Sequence, residues 1–226
     1  MAKFYSVGVG AGDGSYITLG ALRALEQADI IAVPVKKYGE KSTALEIIRK
    51  EFDTDKKEIS ELEFRMSGDT KIREESRRNS AEKIISALKD GKYVAMITLG
   101  DVSVYSTCTY VHNAVKNAGF ELEIIPGITS FCAAADKAQI SLCEGNESVA
   151  IIPSLKSNLL EKYIADFDTV IMKSGNDTDV IYDILKKYGL ENNAIVSSCI
   201  GMENEIIEKI QKGKSYGYFT TVIVRK

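Results

Sequence analysis

The sequence predicts an α/β protein of two α/β domains, the first built on a five-stranded, mostly parallel sheet and the second on a mixed sheet. Short apolar runs alternate with segments of helical period along residues 1–140. The same alternation restarts in residues 141–226. The final segment, YGYFTTVIVRK, alternates apolar and polar residues as an antiparallel strand does, which predicts a mixed second sheet.

Five strand-then-helix units are predicted in the first domain, residues 1–140. The strands are FYSVGV, DIIAVPV, EISELEF, YVAMITL and ELEIIP, and the helices that follow them span residues 18–28, 42–52, 71–90, 104–118 and 128–138. Thr18 is a suitable N-cap for the first helix, because its hydroxyl can accept a hydrogen bond from the first turn. Five such units predict helices on both faces of the sheet and ligands beyond the carboxyl ends of its strands.

The second domain, residues 141–226, repeats this pattern in fewer units. Its predicted strands are SVAIIP, TVIMK, AIVSSCI and YGYFTTVIVRK, and its predicted helices span residues 155–166 and 177–188. The boundary segment SLCEGNES carries turn residues without a long flexible linker. The two domains are therefore expected to pack together, with the active site in the cleft between them.

Composition and charge disfavour nucleic acids and membranes as partners of the protein. Lysine and arginine number 29 against 32 aspartates and glutamates, a net charge of −3, which disfavours a nucleic-acid partner. No run of residues approaches the roughly 18 uncharged apolar residues of a membrane helix. The N-terminus, MAKFYSVGVG, lacks the layout of a signal peptide. A cytoplasmic protein that does not bind membranes is predicted.

No metal site is predicted. The four cysteines, Cys108, Cys132, Cys143 and Cys199, are scattered without a C-x-x-C pair, and His112 is the only histidine. Thiolate metal sites usually take their ligands at short spacings. Reduced thiols that pack in a core or line a cleft are the simpler interpretation.

Three predicted strands end in segments that combine glycine with small or hydroxylated residues: VGVGAGDG, TLGDVSVYST and IIPGITSFCAAA. At such ends the backbone can approach a ligand closely, so the three segments are expected to outline one pocket. The glycines do not fit the glycine-rich motif that binds dinucleotides such as NAD. The first helix begins several residues beyond the glycines, and Lys36 and Lys37 follow the second strand, where an acidic residue would be needed.

These three segments resemble the signature stretches of the tetrapyrrole methylase family, the S-adenosylmethionine-dependent methyltransferases of corrin and sirohaem synthesis. The family pattern reads Val-Gly-x-Gly-Pro-Gly-Asp, then Gly-Asp-Pro, then Pro-Gly-x-Ser/Thr-Ser, and the resemblance extends over nearly the whole chain. Ala11 and Val102 stand where the family has proline, and Gly14 replaces a proline or small residue. Without proline to fix φ, these loops are expected to be less rigid.

Within the family, GDVSVYST is similar to the form found in enzymes that methylate C-20 of precorrin-2 or cobalt-factor II, and PGITSF and YFTTVIV also resemble that branch. The resemblance implies S-adenosylmethionine as methyl donor, a tetrapyrrole substrate of cobalamin biosynthesis and a homodimer. No protein-bound metal is expected, because the sequence offers no cluster of metal ligands. A composition rich in lysine and isoleucine favours the cobalt-loaded substrate over the metal-free one.

The resemblance also implies site residues. Leu99, Gly100, Asp101 and Val104 fall on the loop that wraps the methionine moiety, and Met172 and Gly201 fall where the family borders the adenosine. The full set implied for the cofactor is Gly10, Ala11, Leu99, Gly100, Asp101, Val104, Tyr105, Ser106, Thr129, Ser130, Met172 and Gly201. Asp101 could meet the donor's positive charge or cap the following helix.

Tyr105 is the candidate catalytic residue. A tyrosine with a pKa near 10 is a poor base at neutral pH, so a wall or hydrogen-bonding role is favoured over removal of the C-20 proton.

The charged segment 66–83 allows two interpretations. It can be a solvated helix face. Alternatively, its arginines and the preceding one can bind the carboxylates of the macrocycle, since arginine grips carboxylates with two hydrogen bonds. The candidates for that role are Arg65, Arg73, Arg77 and Arg78.

Two alternative functions stay open. One keeps the fold and changes the substrate, to uroporphyrinogen methylation, diphthine synthesis or ribose methylation of ribosomal RNA; the acidic balance disfavours RNA. The other is a non-catalytic nucleotide-binding module, which would bind the cofactor without transferring a methyl group.

Overall fold

The computed structural model of the protein describes residues 2–154 and 157–226. The chain divides into two compact units, Met1–Thr129 and Ser130–Lys226. The helix at Ser130–Lys137 thus belongs to the second unit. The predicted boundary at residue 140 and the predicted cleft stay predictions.

The first unit has one five-stranded sheet in which every strand pair is parallel, in the order β3-β2-β4-β1-β5, so the fold class predicted for this domain is confirmed. Its elements are β1 (Lys3–Gly8), α1 (Leu19–Gln27), β2 (Ile30–Val35), α2 (Thr43–Ile48), β3 (Glu58–Glu63), α3 (Thr70–Lys89), β4 (Val94–Thr98), α4 (Thr109–Asn117) and β5 (Glu121–Ile125).

Both faces of this sheet are covered. Residues of β1 and β4 alternate between two apolar clusters: Tyr5 and Ile97 pack with α1 and α2, whereas Phe4 and Met96 pack with α3 and α4. Because the central strands are buried on both sides, they are almost wholly apolar. Thr18 caps α1 as predicted, accepting a hydrogen bond of 3.1 Å from the N–H of Ala21.

The second unit has a mixed sheet in the order β6-β7-β10-β8-β9, as predicted. Only β6 and β7 pair in parallel, and β10 runs antiparallel to both of its neighbours. The elements are α5 (Ser130–Lys137), β6 (Val149–Pro153), α6 (Ser157–Asp166), β7 (Asp168–Met172), α7 (Thr178–Lys187), β8 (Ala194–Ser198), β9 (Ile206–Lys209) and β10 (Thr220–Val224). Helices α6 and α7 pack on one face of this sheet.

Two predicted elements begin later than expected, and one strand was missed. The helix expected from residue 104 begins only at Thr109, because residues 102–105 form turns and Tyr105 has a φ of 49°. The last strand begins at Thr220, so YGYF precedes it. Strand β9 was missed; it is only four residues long, too short for a clear period. The first two residues of the helix predicted at 155–166 lie outside the described residues.

Candidate functional site

Three neighbouring strands of the first unit end at one edge of its sheet. Strands β4, β1 and β5 are adjacent and parallel, so the loops that follow them emerge together. The loops after β1 and β4 pair directly: the N–H of Gly10 donates to the carbonyl of Gly100 at 3.2 Å, and the N–H of Gly100 donates to the carbonyl of Gly10 at 2.7 Å.

Glycine is required where the strand tips touch. A Cβ built on Gly127, in the loop after β5, would lie 2.2 Å from the carbonyl oxygen of Gly100 and 2.7 Å from the carbonyl carbon of Gly8. A Cβ on Gly8 would lie 2.6 Å from the nitrogen of Gly127. The three backbones therefore pack against each other without room for a side chain.

Asp101 joins two of these loops. One carboxylate oxygen accepts hydrogen bonds from the N–H and hydroxyl of Ser103, and the other accepts a 2.8 Å hydrogen bond from the N–H of Gly127. Burial alone would raise the pKa of Asp101, but these hydrogen bonds outweigh burial and hold the pKa below its usual value. The charged carboxylate is thus a fixed part of the edge, and it does not cap α4.

The space beside Gly100 is open although Gly100 itself is buried. Its φ is +72°, and a Cβ there would meet no atom within 4 Å. Gly10 also has a positive φ, of +81°, but a Cβ there would collide with Tyr16 at 2.7 Å. A ligand can therefore approach the bare backbone at Gly100. This opening lies at the edge where the loops after β1 and β4 pair.

The other predicted residues of this edge differ in exposure. Ala11 and Gly10 are buried, while Leu99 and Val104 are half-buried. Leu99 packs against the core beneath α1 and α2. Of these residues, Gly10 pairs with Gly100 through the backbone, and the N–H of Val104 donates to the carbonyl of Asp101 at 3.4 Å.

Ser106 is buried and already bonded within the protein. Its hydroxyl donates to Thr98 Oγ1 at 3.0 Å and accepts from the N–H of Cys108 at 3.1 Å. The thiol of Cys108 is fully enclosed, and burial raises its pKa to about 11. These hydrogen bonds attach the C-terminal part of the loop after β4 to Thr98, the last residue of β4. Ser106 therefore fixes the conformation of the loop from its buried side.

His112 lies under the same loop as a packing residue. Its Nε2 is 2.9 Å from the hydroxyl of Ser6 on β1. Burial, together with the charge of Lys116, lowers the pKa of His112, so the ring is neutral at pH 7. This bond joins α4 to β1, so His112 has a packing role.

Tyr105 is at the outer surface of the loop, with 48% of its area exposed. Partial burial raises the pKa of its phenol above the usual value. The side chain is therefore a protonated phenol at neutral pH, which agrees with a wall or donor role and disfavours a role as base.

The remaining predicted residues lie around the start of α5 and in the second unit. Thr129 ends the first unit and Ser130 begins α5. Met172 ends β7 and pairs with Thr221 of β10; Gly201 follows β8 with a φ of 73°. Since β7 and β8 flank β10 and run in the same direction, Met172 and Gly201 are at the same edge of the second sheet.

That edge of the second sheet also contains a close backbone crossing. A Cβ on Gly175 would lie 2.0 Å from the carbonyl oxygen of Gly217. The N–H of Gly201 is held by Glu205 at 2.7 Å, and Glu205 pairs with Lys137 at 3.5 Å. The backbone around Gly201 is thus locally fixed.

Two contributors to the first edge were missed as site residues. Gly8 and Gly127 close the contact between strand tips, and both occur in segments that the sequence had singled out. Their signal is glycine directly at a strand end. Sequence alone does not say which glycine faces a backbone and which faces open space.

Across residues 2–154 and 157–226, no group of three or more histidine, cysteine, aspartate or glutamate residues is placed to hold a metal ion. In the same part of the chain, no helix combines the length and apolar character needed to span a membrane.

The fold is shared with known methyltransferases. The crystal structure of the methyltransferase CobJ matches with a TM-score of 0.75 at 16% sequence identity, over 99% of this chain and 94% of that one. The family model of the tetrapyrrole (corrin/porphyrin) methylases matches residues 3–213. The chain therefore belongs to the tetrapyrrole methylase family.

Two relatives with similar sequences are named as methyltransferases that act on one position of the macrocycle. A protein of Methanocaldococcus jannaschii named as a probable cobalt-precorrin-2 C(20)-methyltransferase is 42% identical over 215 residues, which is 90% of this chain and 89% of that protein. The cobalt-precorrin-2 C(20)-methyltransferase of Salmonella typhimurium is 28% identical over 99% of this chain and 96% of that protein.

Proposed function

We propose that the protein is an S-adenosylmethionine-dependent C-methyltransferase of cobalamin biosynthesis that methylates C-20 of cobalt-precorrin-2. The similarity to the Methanocaldococcus protein, at 42% identity and nearly equal length, carries this proposal. The open backbone at Gly100, on an edge built from the three signature loops, supports it.

Methyltransferases of this family use S-adenosylmethionine as methyl donor. When bound, S-adenosylmethionine supplies an electrophilic methyl group on a sulfonium. The transfer to a carbon of the macrocycle requires no protein nucleophile. The contribution of the chain is to hold two reactants in line and to exclude water, and such positioning is worth roughly 7–11 kcal/mol in favourable cases.

The residues of the first unit divide this work. The bare backbone of Gly100 and its neighbour Leu99 receive the methionine moiety. The ionised Asp101 places negative charge near the sulfonium while it holds the loop after β5 in place. Ser106 fixes the far end of the loop through Thr98. Gly10 and Ala11 form the adjacent wall.

Thr129, Ser130, Met172 and Gly201 complete the proposed cofactor set. The first two follow the loop after β5, and the other two are at one edge of the second sheet. Their assignment to the cofactor rests on the family pattern.

Replacing Tyr105 by phenylalanine is expected to lower kcat by less than about tenfold. The ring that forms the wall is retained, and the phenol, with its raised pKa, is not a base at neutral pH. The rates of both forms should be flat between about pH 6 and 9. Tyr188→Phe, at an exposed tyrosine of the second unit, is the matched control. A loss above a hundredfold together with a wild-type rate that rises with pH would instead identify a base.

The function is tested by incubating the purified protein under anaerobic conditions with S-adenosylmethionine and, in parallel, cobalt-precorrin-2, precorrin-2 or uroporphyrinogen III. Mass spectrometry and NMR of the product should show one added methyl group, at C-20, formed fastest from cobalt-precorrin-2. Faster turnover of precorrin-2 would revise the metal state of the substrate. Methylation of uroporphyrinogen III alone, or donor binding without any transfer, would reject the proposal.

We also propose that the protein is cytoplasmic and forms a homodimer. Light scattering coupled to gel filtration should give twice the mass of the 24.8 kDa chain. A monomer that is fully active would remove the homodimer from the proposal.

A further inference from the structure

Arg77 and Tyr110 form a stacked pair on the first unit. The guanidinium carbon of Arg77, on α3, is 3.6 Å from the ring centroid of Tyr110, in the first turn of α4. Helix α4 begins immediately after the loop that carries Tyr105. Tyr110 therefore lies a few residues beyond the proposed methyl-transfer loop along the chain, and its stacking brings Arg77 of α3 to the start of α4.

Stacking uses the face of the guanidinium and leaves its N–H edge unused. Within the part of the chain that the structure describes, this guanidinium stacks on the ring of Tyr110, and no carboxylate or carbonyl accepts a hydrogen bond from it. Arg77 is half-buried and Tyr110 is 48% exposed. A planar set of donors is thus held in one orientation and faces an accessible surface.

The other three arginines suggested by the sequence have local acceptors. Arg65 pairs with Glu63 at 2.8 Å, and Arg78 is 3.8 Å from Glu82 on its own helix. Arg73 donates to the carbonyl of Gly68 at 3.0 Å and to Thr70 at 2.9 Å, so it closes the start of α3. Of the four, Arg77 is the one whose guanidinium is stacked on an aromatic ring and has no carboxylate within ion-pair distance in the described residues.

We propose that Arg77, oriented by Tyr110, binds a carboxylate side chain of the tetrapyrrole. This inference rests on the proposed function, which supplies a macrocycle bearing acetate and propionate groups. The arginine fork matches the two oxygens of a carboxylate, and its stacked partner reduces the conformational freedom lost on binding. A lysine would provide charge without that fork, and an exposed arginine without a stacking partner would be less well oriented.

The test measures binding of cobalt-precorrin-2 directly, by absorbance titration in the presence of S-adenosylhomocysteine. Arg77→Gln should raise the Kd of the tetrapyrrole by about 10- to 100-fold, as expected for loss of hydrogen bonds to a charged group. Arg77→Lys and Tyr110→Leu should give smaller increases. The Kd of S-adenosylhomocysteine, measured by calorimetry, should stay within about twofold in every variant that is folded.

Lys89→Gln is the matched control, because it removes the same charge from the last turn of α3, about 18 Å from Arg77 along the helix axis. It should leave tetrapyrrole binding unchanged. Equal Kd values for Arg77→Gln and Lys89→Gln, in a wild-type protein that binds cobalt-precorrin-2, would overturn the role of Arg77 and leave the proposed function standing.

Failure of the proposed function has a different signature. If wild-type protein binds uroporphyrinogen III in place of cobalt-precorrin-2, the substrate is wrong, and the same variants decide the role of Arg77 with uroporphyrinogen III. If the wild-type protein binds neither compound, both proposals are wrong.

Discussion

Gly127→Ala is expected to destabilise the first unit by about 3 kcal/mol and to abolish methyl transfer. The new Cβ would lie 2.2 Å from the carbonyl oxygen of Gly100 and under 3.0 Å from two atoms of Gly8. All of these are backbone atoms of strand tips, which cannot turn aside as a flexible side chain can. Relief therefore requires β4 or β1 to move away from β5, and with it the open backbone beside Gly100. Thermal unfolding and turnover measure the two effects.

Gly68→Ala serves as the control for this prediction. Gly68 has no positive φ, and a Cβ there meets nothing within 4 Å. The substitution should be neutral, or stabilising by about 0.4–1 kcal/mol through reduced freedom of the unfolded chain. Similar melting temperatures for Gly127→Ala and Gly68→Ala would refute the close contact between the strand tips.

Asp101→Asn is expected to lower kcat/KM by about a hundredfold and stability by about 1–3 kcal/mol. The aspartate accepts hydrogen bonds on both oxygens, from Ser103 and from the N–H of Gly127. An asparagine offers only one oxygen. Its NH₂ group must therefore face the N–H of either Ser103 or Gly127, and that N–H loses its acceptor. The loops after β4 and β5 then lose their connection. Steady-state kinetics and chemical denaturation at pH 7 measure the outcome.

Asp53→Asn is the matched control, since Asp53 accepts a local hydrogen bond of 3.0 Å from the N–H of Asp55 and an amide oxygen preserves it.

The dependence of stability on pH provides a second test of Asp101. The folded pKa of Asp101 is lowered, so its stabilising effect is present above the unfolded pKa, near 4, and is lost as the pH falls through the folded value. The difference in stability between wild type and Asp101→Asn should shrink in that range. A difference that is constant down to low pH would contradict the role of the charged form.

Most of the fold could be predicted from the sequence because its signals are local. Buried parallel strands are apolar throughout, and Thr18 caps α1 as its side chain suggests. Strand β9 escaped detection because it has only four residues, two of which, Glu208 and Lys209, are charged, and so few residues show no clear period. The late start of α4 escaped because Tyr105 adopts a left-handed conformation that its residue type does not favour.

The sequence predicts which loops form the candidate site, but it does not predict the environment of each residue within them. Glycines at strand ends identified three segments, but the opposite environments of Gly100 and Gly127 depend on which strands are neighbours in space. The same limit applies to the arginines. Four were equivalent in sequence, and only tertiary packing on Tyr110 distinguishes Arg77 from the others.

The loop that is proposed to hold an alkylating cofactor leads directly into a sulfur that could itself be alkylated. Enclosure raises the pKa of Cys108 to about 11, so its thiol is protonated at pH 7. The sulfur is also shielded by the core residues around it. A buried, protonated thiol at this position is a poor acceptor for a methyl group, because the thiolate is the reactive form of cysteine.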